Sequence, residues 1–78
     1  MQYEIERTRL HRGNDVQSSF GVQHFEERAA SVDELLARVA ARDRGVISGE
    51  TIRMGRETLA TLRSPEGLFL LRVSAKGS

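Results

Sequence analysis

Ser31–Gly45, SVDELLARVAARDRG, is the stretch whose reading decides the fold. Val32, Leu35, Leu36, Val39 and Ala40 recur at i, i+3, i+4, i+7 and i+8, which makes one apolar stripe along a helix. Ser31 and Glu34 have the spacing of a capping box, in which side chains satisfy backbone N–H groups that the first turn leaves orphaned. Asp33 and Glu34 complement the positive end of the helix dipole, and Arg42 and Arg44 the negative end. Gly45 suits the left-handed conformation that ends a helix, with Val46 closing the apolar contact of a Schellman motif. The spacing predicts a helix over about 31–44. A lone amphipathic helix of about three turns is marginal in water, so this one requires a surface to lie on.

Working outward, both flanks supply strands. Residues 2–10 alternate, with Tyr3 and Ile5 on one side and Glu4 and Glu6 on the other. His11 to Asp15 is turn chemistry, since Gly, Asn and Asp tolerate positive φ. Val16 to Phe25 alternates again, placing Val16, Phe20 and Val22 opposite Gln17, Ser19 and Gln23, and Phe25 breaks the parity. The two segments read as an antiparallel hairpin, and Glu26 to Ala30 as a connection into the helix. Beyond the helix, Ser48-Gly49 reads as a turn, Thr51 to Met54 as a strand and Gly55-Arg56 as a tight turn. Residues 57–63 fit a strand or a helical turn, and the turns on both sides favour strand. Ser64-Pro65-Glu66-Gly67 is a β-turn with Pro second and Gly fourth. Leu68 to Val73 is the most apolar run, and residues 74–78 read as a polar tail.

The expected fold is α+β: a single, mostly antiparallel sheet in the order ββαβββ, with one amphipathic helix packed on one face and residues 1–78 forming one domain. The alternative is a β-grasp, with the first and last strands parallel at the centre. In the first arrangement the helix covers Tyr3, Ile5, Phe20, Val22, Ile52, Met54, Phe69, Leu71 and Val73. The opposite face then shows Glu4, Glu6, Gln17, Ser19, Gln23, Thr51, Arg53, Thr61, Arg63, Leu70 and Arg72. Such a face is either an ordinary solvated surface or a contact surface.

The totals exclude several classes of function. The chain has no cysteine, hence no disulfide, thiolate nucleophile or Cys-based zinc site. Neither an apolar run of membrane-spanning length nor a signal-peptide pattern is visible, so a cytoplasmic location is expected. The net charge of +1 argues against a purely electrostatic nucleic-acid binder. Eleven of the twelve basic residues are Arg, which suits either a GC-rich genome or bidentate contact with phosphate and carboxylate.

Catalytic and metal-binding constellations are sparse. His11 and His24 fall at opposite ends of the expected hairpin, and His24-x-Glu26-Glu27 has too few ligands for a metal site. Gly-rich phosphate loops, nucleophile elbows and zinc-protease motifs are missing. No catalytic residue, metal ligand or cofactor is therefore assigned. Two narrower readings stay open. His24 with Arg63 and Arg72 could serve a small endoribonuclease toxin, as acid/base and phosphate clamp. Arg7, Arg9 and Arg12 run at close spacing into the first hairpin turn and could contact phosphate directly, although Glu4, Glu6 and Asp15 weaken their field. The state is monomer or homodimer, the latter if the last strand lies at an edge.

Residues 31–73 resemble the layout of some small type I anti-CRISPR proteins. A short helix opens with Ser31-Val32. A Gly-led strand follows, Gly49-Glu50-Thr51-Ile52-Arg53-Met54, and then a Gly-plus-apolar strand, Gly67-Leu68-Phe69-Leu70. Residues 55–63 have no counterpart. The resemblance implies a phage or mobile-element inhibitor in the host cytoplasm, which blocks a host nucleoprotein effector complex by occupying its surface. It points to Arg53, Arg63 and Arg72 as partner-binding residues, with Arg7 and Arg9 as a second group.

Overall fold

The computed structural model describes residues 1–10 and 22–76. Their elements are β1 (Gln2–Leu10), β2 (Val22–Arg28), α1 (Val32–Arg42), β3 (Val46–Met54), β4 (Glu57–Ser64) and β5 (Gly67–Ala75). The order is ββαβββ, as expected. The five strands form one sheet in the order β2-β1-β5-β4-β3, and every neighbouring pair is antiparallel.

The antiparallel reading holds, its alternative falls, and details are corrected: Glu26 to Arg28, expected as a connection into the helix, belong to β2 and pair with β1. β1 and β5 pair antiparallel, with Ile5 opposite Val73, so the parallel pairing of a β-grasp is ruled out. β5 lies at the centre and not at an edge, flanked by β1 and β4, and Phe69, Leu71 and Val73 of its apolar run are buried on the helix side. The strand also runs further than expected. Ser74 pairs with Glu4, Ala75 with Tyr3, and the Lys76 N–H donates to the Gln2 carbonyl at 2.9 Å, so residues 74–76 are no loose tail. Residues 57–63 lie within a strand, held between two-residue turns at Gly55-Arg56 and Pro65-Glu66.

The helix ends follow from local chemistry. Ser31 has extended backbone angles, and its Oγ accepts the Glu34 N–H at 3.1 Å. The Glu34 carboxylate reaches one residue further back than a capping box requires and accepts the Ala30 N–H at 2.9 Å. At the other end the Gly45 N–H donates to the Ala40 carbonyl at 2.8 Å and the Arg44 N–H to the Ala41 carbonyl at 3.1 Å, which is a Schellman motif. The left-handed residue is Arg44, with φ of 56°, one position earlier than the sequence suggests. Gly45 is needed for space: a Cβ there would stand 2.5 Å from the Arg63 carbonyl oxygen. Val46 points away and is exposed.

Leu35, Leu36, Val39 and Ala40 of α1 are buried against Tyr3, Ile5, Ala60, Leu62, Phe69, Leu71 and Val73. The core therefore draws on alternate residues of β4, Thr58, Ala60 and Leu62. Val22, Ile52 and Met54 are not in it, contrary to expectation. β2 is phased by Phe25, which pairs with Ile5 and faces the helix, so Val22 falls on the other side. β3 is phased by Ile47 opposite Leu62. Its register then slips by two residues between Ser48 and Ile52, at Gly49 with φ of 74°, and two is an even shift. Val46, Ser48, Ile52 and Met54 consequently share the face turned from the helix. Gly49 thus lies within β3 and does not lead it. Phe20 lies outside the described residues.

Candidate functional site

The helix side of the sheet is occupied by structure. The Arg7 Nη1 lies 2.7 Å from Asp43 Oδ2, both side chains being mostly buried, and its guanidinium carbon stacks 4.0 Å from the centroid of the Phe69 ring. Arg7 Nε and Asp43 Oδ2 make no hydrogen bond of good geometry, so this is an electrostatic contact across the seam between β1 and α1. Arg9 Nη2 donates to the Glu66 carbonyl at 2.9 Å and ties β1 to the β4–β5 turn. Arg53 pairs with Asp33 of the first helical turn at 2.7 Å. Arg53 is therefore on the helix side, since Thr58, its cross-strand neighbour, is buried there. The expectation that it joins Arg63 and Arg72 on the open face is corrected. Alternation in Thr51 to Met54 points Ile52 and Met54 into the core, and the phase set by Ile47 opposite Leu62 reverses that.

Glu27 completes this side. It accepts hydrogen bonds from Arg42 Nη2 at 2.7 Å and Nη1 at 3.1 Å, and Arg38 approaches at 3.7 Å. The hydrogen bonds from Arg42 hold the Glu27 carboxyl below its ordinary range and the Arg42 guanidinium above its own. Of the arginines singled out in the sequence, Arg7, Arg9 and Arg53 thus have partners within the fold. Arg12 lies outside the described residues, as does His11.

The face turned from the helix is different. Cross-strand pairing sets His24, Glu6, Arg72, Leu59 and Ile52 in one row across all five strands. The adjoining row is Glu26, Glu4, Ser74, Glu57 and Met54, and on the other side come Val22, Thr8, Leu70, Thr61 and Ser48. Arg72 donates to Glu57 Oε2 at 2.6 and 3.2 Å, which raises its pKa. Lys76 donates to Glu26 at 2.8 Å, and that hydrogen bond lowers the Glu26 pKa. His24 Nε2 lies 3.8 Å from Glu6 Oε2. Arg63 is exposed and has no ion pair among the described residues.

Six large apolar side chains, Leu10, Val22, Val46, Ile52, Met54 and Leu68, are between 41% and 57% exposed, and all six are on this face. Leu59 and Leu70 lie half-buried among them. Two shallow depressions indent the face, one of about 340 Å³ around Leu59, Leu70 and Arg72, the other of about 690 Å³ around Thr61, Arg63 and Leu68. Among the described residues four carboxylates, Glu4, Glu6, Glu26 and Glu57, stand against four cations, Arg28, Arg63, Arg72 and Lys76, and these charges balance. The apolar residues were missed in the sequence because helix and open face claim them equally. The one available signal was the shared even parity of Val46, Ile52 and Met54 in β3.

Among the described residues no group of three or more His, Asp or Glu is placed to hold a metal, and no helix is long and apolar enough to cross a membrane. The chain matches no family model, no curated protein and no solved structure at a significant level.

Proposed function

We propose that this chain is a non-enzymatic binding protein whose contact surface is the open face of the sheet and whose partner is a protein. The carrying observation is the gathering of six exposed apolar side chains on one face. Scattered apolar residues are normal on a surface, whereas a contiguous patch marks an interaction site. The balanced charges favour a protein over nucleic acid, because phosphate recognition needs an excess of cations. An inhibitor of a host nucleoprotein complex, of the anti-CRISPR kind, is the particular form of this reading. It rests on the small size and the layout of residues 31–73 alone, and its contact residues on this face are Arg63 and Arg72. The test is affinity capture from host lysate with mass spectrometry, wild type beside Leu68→Glu and Arg63→Glu. A protein retained by wild type and lost by both variants, with unchanged circular dichroism, supports the reading. Equal retention by all three sinks it.

A second reading, ribonuclease, is favoured by one observation: His24, Glu6 and Arg72 stand side by side in one cross-strand row. An imidazole beside a carboxylate, next to a guanidinium, is a workable acid/base and phosphate clamp. Purified protein that cleaves RNA, and a His24→Ala variant that does not, would establish it. Intact RNA after incubation with wild type removes it.

A further inference from the structure

We draw no further inference here: the strongest candidate, the apolar half of the open sheet face formed by Val46, Ile52, Met54, Leu59, Leu68 and Leu70, belongs to the surface already described, and nothing in the structure shows what covers it.

Discussion

Arg7 illustrates how a charge is held in a seam. Its aliphatic stem follows β1 into the gap beneath the end of α1, its guanidinium lies over Phe69, and Asp43 neutralises it. Removing one member leaves the other poorly solvated. Arg7→Ala should cost about 2–3 kcal/mol, somewhat less than a fully buried pair, read as a lower midpoint in urea with little change in slope. Arg44 and Gly45 show two distinct reasons for a small residue. Arg44 holds φ of 56°, a left-handed conformation that costs a side-chain-bearing residue about 1–2 kcal/mol. Arg44→Gly should relieve this and, after the added chain entropy of glycine, raise Tm by several degrees, worth about 0.5–1 kcal/mol. Gly45→Ala should do the reverse, by about 1–3 kcal/mol, because its methyl group would collide with the Arg63 carbonyl.

Among the elements, α1 is the best specified and the most tethered. Its own residues supply the cap, the apolar stripe and Arg38, which pairs with Glu34 at 3.1 Å and donates to the Arg28 carbonyl at 2.7 Å. Arg42 then reaches Glu27 on β2, and Asp33 reaches Arg53 on β3, so that ion pairs anchor it at two strands. The Arg42 hydrogen bonds lower the Glu27 pKa below the ordinary 4.5, so the folded state binds a proton there less readily than the unfolded chain does. That contribution is fully present above the ordinary value and lost as pH falls through the lowered one. Glu27→Gln should therefore lower Tm by a few degrees at neutral pH, about 1 kcal/mol, and the gap from wild type should close in melts at increasingly acid pH.

At the scale of the whole molecule, β1 and β5 are flanked by strands on both sides, while β2 and β3 are edges. Native-state hydrogen exchange should protect the amides of Ile5, Leu71 and Val73 most and those of β3 around Gly49 least, since edge strands open without global unfolding. Slow exchange along all of β3 in dilute monomer would contradict this ordering. The same arrangement assigns the two sides of the sheet different tasks. The helix side is closed by one apolar core and a ring of ion pairs. The other side keeps its apolar residues in solvent, and the proposed binding activity belongs there.

The amino-acid sequence by itself determined α1, its Ser31 cap, the turns at Gly55-Arg56 and Pro65-Glu66, and the order ββαβββ, because each depends on residues within a few positions of one another. Tyr3 and Ile5 against Phe69, Leu71 and Val73 were equally legible, since their alternation is unambiguous. Only the tertiary structure decided the phase of β2 and β3. Phe25 and Ile47 set it by pairing with Ile5 and Leu62, residues distant in the chain, and a strand whose apolar residues fall on both parities cannot state its own inward face. That single uncertainty moved Arg53 to the helix side and Val22, Ile52 and Met54 to the open one. The candidate site was half visible for this reason: its arginines Arg63 and Arg72 were readable from β4 and β5, whereas the apolar surface around them exists only once five strands are aligned side by side.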